Sequence, residues 1–343
     1  MKSASEIRVG LLAYGAIGDE HNQAVLATPG LNTVAVCDQK AERINAALKI
    51  SPDAKVFTEA DVMLESKLLD LVIISTPPNT HAHWAKKALS LGINVILEKP
   101  MALTTAECDQ LIALAKEKGL LLVVYQNRRY DSDFLTIQKA LADGVIGEVF
   151  HYEAFVGGYG KPCSFWHSDK LISGGAIFDW GSHFIDQIMT LLPYPIDHIS
   201  GLNQKRHWHH ITNADHAQVV ITYKDGKQAV FINSDLAASR KAKFHLLGTM
   251  GSLTGNWDSA AGDKPADLPA IITLTKSTGE TQILPAVKAA PNAFHQGVAD
   301  FLLSNIAMPI TTAQSRDVVA IMQAAEESAV LNARPVTAKL LTQ

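Results

Sequence analysis

From the N-terminus to about Tyr125 the chain repeats one pattern, a short unbroken apolar run followed by an amphipathic stretch. The runs are IRVGLLA at 7–13, NTVAVCD at 32–38, KVF at 55–57, LDLVIIST at 69–76, NVILEKP at 94–100 and LLLVVYQ at 120–126. Apolar runs that do not alternate with polar residues suit strands buried on both faces, as in a parallel sheet. Between them, AERINAALK and HAHWAKKALSLG carry helical periodicity, and TAECDQLIALAKEKG ends at Gly119, which predicts a helix C-cap there. Strand and helix alternating in this way predict an α/β domain over 1–125, built on a doubly wound parallel sheet.

Beyond that point the period changes. The helix-like stretch SDFLTIQKALADG precedes runs that alternate with period two: VFHYEAFVG, HAQVVITYKDGKQAVFINS, KFHLLGTMGSLTG and AIITLTKSTGETQIL. KDGKQ and STGET supply Gly-containing hairpin turns. Residues 126–343 are therefore expected to form a second α/β domain with a large, mainly antiparallel open sheet, helices on one face, and a closing helix from about Ala313 to Asn332. No internal repeat, low-complexity tract or long linker interrupts the chain.

Composition adds exclusions. A length of 343 residues is enough for two buried cores, and 47% hydrophobic with 19% charged residues is a globular balance. A formal net charge of −4 without a local basic patch argues against nucleic acid and anionic membrane as partners. Cys37, Cys108 and Cys163 form no CxxC, which fits reduced thiols in the cytoplasm. MKSASEIRV runs straight into a strand-like segment, so no leader is expected, and no apolar run is long enough to span a bilayer.

In an open α/β sheet, ligands bind beyond the carboxyl ends of the strands, so the strand ends hold the candidate chemistry. The first ends in AYGAIG, a GxGxxG fingerprint with Ala13 in place of the first glycine. Gly15 would let backbone approach a pyrophosphate, Gly18 would let the helix pack close, and the helix amides would meet the anion. Ala13 is expected to keep a negative φ, clear of the pyrophosphate, and a positive value or a Cβ against phosphate would show the fingerprint to be placed in the wrong register. Asp38, twenty residues past Gly18, can accept ribose hydroxyls and would repel a 2′-phosphate, which favours NAD, although Lys40 and Arg43 keep NADP open. The next strand ends are STPPNTH, EKP and QNRR. Lys99 in EKP has the reach and charge to hold a substrate oxygen, and a cis bond before Pro100 would aim it inward.

In the second half, SGGAIFDWGSHFIDQIMTLL places Asp179 and His183 four residues apart, on one face if the stretch is helical. A histidine beside an aspartate is an efficient proton acceptor near neutral pH. Asp186 continues the row as a structural group. The RHWHH segment, 206–210, is expected to be a solvated loop and not a metal site: on an extended chain only His207 and His209 share a face, and no Cys or carboxylate nearby completes a tetrahedral set.

AYGAIGDEH, STPPNTH, EKPMALT, QNRRYDSDF, GVIGEV and SGGAIFDWGSHFIDQ, in this order and closed by ARPVT, resemble the Gfo/Idh/MocA oxidoreductases. The resemblance implies hydride transfer between a nicotinamide cofactor and a secondary alcohol or carbonyl of a sugar, polyol or related small metabolite. It also implies a homodimer or homotetramer formed through the C-terminal sheet. Carried over residue by residue, His183 would take the hydroxyl proton, Asp179 would orient it, and Lys99 would hold the reacting oxygen. Gly15, Ala16, Ile17, Gly18, Asp38, Ser75, Thr76, Pro77, Asn79, His81, Glu98, Lys99 and Asn127 would enclose NAD or NADP. Arg128, Arg129, Tyr159 and Trp166 would join Lys99, Asp179 and His183 around the substrate. Ala176 stands where many members carry the third glycine of GGG, and the loops 157–166 and 205–213 match no known substrate determinant. Two alternatives remain, redox-assisted cleavage of a glycosidic bond with tightly held NAD, and a non-catalytic NAD(P)-binding regulator. The regulator would have no need of Lys99, Asp179 and His183 together.

Overall fold

The computed structural model describes residues 6–257 and 269–343; residues 1–5, on which the expectation of no leader falls, lie outside the described residues, as do 258–268. The chain divides into two compact units, Met1–Gln126 with Pro291–Arg316, and Asn127–Ala290 with Asp317–Gln343.

The first unit runs β1 (Ile7–Leu12), α1 (Gly18–Ala27), β2 (Leu31–Cys37), α2 (Ala41–Ile50), β3 (Lys55–Phe57), α3 (Ala60–Glu65), β4 (Leu71–Ile74), α4 (His81–Ser90), β5 (Asn94–Leu97), α5 (Thr105–Lys118) and β6 (Leu122–Val124). The second contains α6 (Ser132–Ala142), β7 (Val149–Gly157), α7 (Lys170–Ser173), α8 (Ala176–Leu191), β8 (Ile196–Gln204), β9 (His216–Tyr223), β10 (Gln228–Ser234), β11 (Phe244–Gly248), β12 (Gly251–Asn256), β13 (Ile271–Lys276) and β14 (Thr281–Ile283). Two helices follow, α9 (Ala293–Ser304) and α10 (Thr312–Val330).

The six apolar runs form the six strands of one parallel sheet, ordered β3-β2-β1-β4-β5-β6. Strand order reverses between β1 and β4, the switch point where such sheets leave a crevice. Thr104 and Glu107 open α5 with a reciprocal capping box, and Gly119 closes it in the left-handed region at φ 64°, as its position in the sequence predicts. Helix α9 belongs to this unit, because Phe294 and Val298 are fully buried and the Phe294 ring meets Tyr125 at 4.9 Å. Arg316 forks onto Asp109 through bonds of 2.8 and 3.1 Å.

One expectation fails at the first turn. Ala13 has φ 68°, left-handed, where a negative value was expected. The cause is local: β1 stops at Leu12, Ala13 N donates to Cys37 O at 2.9 Å, and Tyr14 N donates to the Asp38 carboxylate at 2.8 Å. Pulling two successive amides towards the end of β2 forces the bend. Helix α1 nonetheless opens at Gly18, where a Cβ would lie 2.8 Å from the Tyr14 ring, the close packing expected of that glycine. The first fingerprint position is thus where the chain turns left-handed, which is why glycine suits it, and here alanine bears the strain.

The second unit is built on an eight-stranded sheet ordered β14-β13-β12-β11-β7-β10-β9-β8. Every neighbouring pair is antiparallel except β7 with β10. Both expected hairpins are present, β9–β10 and β13–β14, and β9 alternates half-buried with buried along its length. The edge strand β8 has no counterpart among the expected runs, because IDHISGLNQ mixes polar and small residues on both faces. Helix α8 lies on the sheet through Phe184, stacked on Phe231 at 5.6 Å, and through Gly181, where a Cβ would sit 3.2 Å from the Phe231 ring. Arg129 grips Asp186 of α8 with bonds of 2.6 and 2.7 Å, and Lys243 meets buried Asp133 at 2.7 Å.

Relief of the strained turn is measurable. Ala13→Gly is expected to stabilise the protein by about 0.5–1 kcal/mol, the left-handed cost of alanine less the entropy glycine adds to the unfolded chain. Urea unfolding checks it, and a destabilised variant would show that the Cβ packs better than the backbone suffers.

Candidate active site

The ends of β1, β2, β4 and β5 bring most of the expected cofactor residues to one edge of the first sheet. A Cβ at Gly15 would meet no atom within 4 Å, so the turn leaves an open cradle above the backbone. Helix α1 opens with Ile17 as N-cap and no side-chain cap, and Gly18 N turns back to donate to Gly15 O at 3.1 Å. Ala16 is exposed, and Ile17 is half-buried. Those features fit a dinucleotide pyrophosphate.

Asp38 is buried, and its carboxylate accepts from Tyr14 N at 2.8 Å, Lys40 N at 2.9 Å and Arg43 Nη1 at 3.3 Å. The negative charge at the end of β2 is therefore rigidly held, with Arg43 as its counter-ion. In the STPPNTH turn, Thr80 Oγ1 donates to Pro77 O at 2.7 Å and lies 2.8 Å from the Thr76 hydroxyl, Ser75 N donates to Leu12 O at 2.9 Å, and Asn79 is exposed. His81 departs from its expected part. It is buried, with Nδ1 at 2.8 Å from Pro100 O and Nε2 at 2.8 Å from Thr76 O, so both ring nitrogens face backbone and none is left for a ligand. Its work is to tie the end of β4 to the turn after β5, and burial pushes its pKa down.

Glu98 and Lys99 follow β5. Glu98 Oε1 lies 3.0 Å from His21 Nε2, and its other oxygen accepts Lys99 N at 3.1 Å. Burial opposes ionisation of Glu98, but His21 and Lys99 outweigh it and hold the carboxyl below its ordinary range. Lys99 is half-buried, and the Lys99–Pro100 peptide is cis.

In the second unit α8 is helical through both Asp179 and His183, so the two stand one turn apart. His183 is buried, whereas Asp179 opens into a cavity of about 600 Å³ shared with Tyr159, His167, Asn233, Asp235 and Arg240. His167 Nδ1 is 3.9 Å from the Asp179 carboxylate. Trp166, expected at the substrate, instead stacks on His167 at 3.6 Å and lines a separate cavity of about 270 Å³. Within the short helical turn that carries both, His167 takes the place beside Asp179. Asn127 and Arg128 lie in the turn that opens this unit; Arg128 reaches Asp131 at 3.2 Å and lies over the Trp180 ring at 5.7 Å. Arg129 is committed to Asp186.

Asp235 escaped the sequence reading, although a polar residue ending the apolar run AVFINSD was the available signal. Burial, then repulsion from Asp215 and Asp179 against the pull of Lys205, pushes its carboxyl up to about 6. Asp215 organises the loop before β9, accepting from Arg206 N and His207 N at 2.6 Å each, Trp208 N at 3.2 Å and Lys205 Nζ at 2.9 Å. The RHWHH segment is thus curled around a carboxylate and not extended. Among the described residues no group of three or more His, Cys, Asp or Glu is arranged to hold a metal ion, and no helix is long and apolar enough to cross a membrane.

Comparison with known proteins decides the class. Residues 7–126 match the oxidoreductase family with an NAD-binding Rossmann fold, and residues 134–254 match the GFO/IDH/MocA C-terminal domain. The chain belongs to the Gfo/Idh/MocA family. Its members here include scyllo-inositol 2-dehydrogenase (NADP(+)) IolW of Bacillus subtilis, 28% identical over 95% of both chains. D-glucoside 3-dehydrogenase of Escherichia coli is 28% identical over 57% of both chains. The crystal structure of an NAD-binding protein from Listeria innocua superposes with a TM-score of 0.85 at 26% identity, covering 97% of both chains. A Gfo/Idh/MocA protein with both domains matched is an enzyme of the NAD(P)-dependent dehydrogenase class.

The raised Asp235 carboxyl makes a prediction whose sign is fixed. The folded state holds that proton up to about pH 6, whereas the unfolded chain releases it near pH 4, so ionising Asp235 costs stability as pH rises through that window. Asp235→Asn is expected to match wild type at pH 4 and to exceed it by roughly 1–2 kcal/mol at pH 7.5, after allowance for partial exposure. Urea unfolding at the two pH values reads the difference; equal gains at both would assign it to something other than ionisation.

Proposed function

We propose that this Gfo/Idh/MocA enzyme moves hydride between NAD, preferred to NADP, and a secondary alcohol or ketone of a sugar or polyol. The cavity beside Asp179 carries the substrate reading: its wall presents Asn233, Asp235, His167, Tyr159 and Arg240, a mixture of donors and acceptors suited to several hydroxyl groups at once. The substrates in the names of IolW and the E. coli enzyme, an inositol and a glucoside, are of the same polyhydroxylated kind. Preference for NAD rests on Asp38, whose buried carboxylate disfavours a 2′-phosphate, while its nearest cation, Arg43, is already paired with it.

The dinucleotide, when bound, supplies the hydride acceptor. In oxidation the carbinol C–H bond breaks with its electron pair leaving as hydride, the O–H proton passes to His183, and C=O remains. Lys99 holds the oxygen with its ammonium group as negative charge builds, and Asp179 orients the proton acceptor. In reduction the same groups act in reverse.

Lys99→Ala and His183→Ala are expected to bind NADH within about threefold of wild type and to lose roughly 10²–10⁴ in turnover on a panel of inositols, polyols and aldoses. Reduced-nicotinamide absorbance, with NAD and NADP in parallel, follows turnover, and fluorescence titration follows binding. Undiminished turnover in both variants would refute the assigned roles, and tighter binding of NADPH than NADH would refute the preference.

A further inference from the structure

Behind Glu98 the first unit buries a file of titratable rings. His21 of α1 lies with Nε2 3.0 Å from Glu98 Oε1 and Nδ1 3.1 Å from Nε2 of His295, which α9 brings in from far along the chain. The two histidines are 1% and 0% exposed. The Tyr125 ring packs at 4.4 Å from one and 5.2 Å from the other, but its hydroxyl donates elsewhere, to Glu20 at 2.7 Å.

Proton bookkeeping then limits the tautomers. Burial pushes the His295 pKa well below the ordinary value, so the ring is neutral and carries one proton. On Nδ1 that proton would have no acceptor, since the atom is buried and meets no hydrogen-bond partner among the described residues. On Nε2 it donates to His21 Nδ1, and only a lone pair is left over. Orphaned buried N–H groups are rarer than under-satisfied acceptors, so the second arrangement prevails. His21 then accepts at Nδ1, carries its single proton on Nε2 and donates it to Glu98.

We propose that His295 is a positioning residue of the dinucleotide site: by donating to His21 Nδ1 it sets that ring with its proton on Nε2, so that Glu98 is held as an oriented carboxylate to accept a hydroxyl of the bound dinucleotide. An imidazolium at His21 would pair with Glu98 and weaken it as an acceptor. The inference rests on the dinucleotide reading above. It adds a residue that touches neither substrate nor cofactor.

The test is imidazole ¹⁵N NMR on the wild-type chain at pH 7, with NADH affinity and steady-state kinetics of His295→Gln and His295→Phe. The expected spectrum has both His21 and His295 neutral with the proton on Nε2. His295→Gln, whose amide nitrogen can still donate, is expected within about threefold of wild type, whereas His295→Phe weakens NADH binding and raises its KM about tenfold, with kcat changed less than about threefold. An imidazolium at His21, equal losses in the two variants, or undiminished affinity in His295→Phe would overturn the proposal. Should His295→Phe not fold, the wild-type spectrum still decides. Wild-type protein with the expected spectrum that binds neither NADH nor NADPH would refute the dinucleotide reading and the role of Glu98, and leave the tautomers standing.

Discussion

How β1 stops governs the candidate cofactor site. A parallel strand that ends must hand its last amides to some acceptor, and here they go sideways to β2, Ala13 N to Cys37 O and Tyr14 N to Asp38. Those two bonds bend the chain through a left-handed alanine, bring the Tyr14 ring under Gly18, and lead into α1, which opens without a side-chain cap. They also immobilise Asp38, the group that would choose between dinucleotides. One turn thereby couples the backbone cradle to the Asp38 carboxylate, and the strain at Ala13 is the cost of that coupling.

The second unit solves a different problem, holding a polar helix face steady over an open sheet. Phe184 on Phe231 and the bare backbone at Gly181 bring α8 close to β10, and the Arg129 fork on Asp186 fixes it from the other side. A buried ion pair of this kind stabilises little in net terms, but breaking it strands a charge, so it sets the helix in one position. Asp179 is then presented to a cavity of fixed shape beside His167 and Asp235.

Buried polar side chains in the first unit fall into two groups. His81 spends both nitrogens on carbonyls and stitches two strand ends together. His21 and His295 instead form a line that ends on Glu98, a group open enough at 13% exposure to meet a ligand. The difference lies in what the chain terminates on, backbone or a carboxylate beside Lys99.

By itself the sequence determined the two sheets, since unbroken and period-two burial are local patterns, and the hairpins and the Gly119 cap, since turn chemistry is written in consecutive residues. It also marked Glu98, Lys99, Asp179 and His183 through motifs at strand ends and helical spacing. Only the tertiary structure decided the sign of φ at Ala13, the strand β8, the return of α9 to the first unit, the backbone duty of His81, and the choice of His167 over Trp166 beside Asp179. Each of these depends on what a residue meets from a distant part of the chain. His295 is the extreme case, because its partners, His21 and Tyr125, lie far from it in sequence and nothing near Phe294 or Gln296 announces them. Periodicity reports which side of an element faces inward, and packing alone reports what is waiting there.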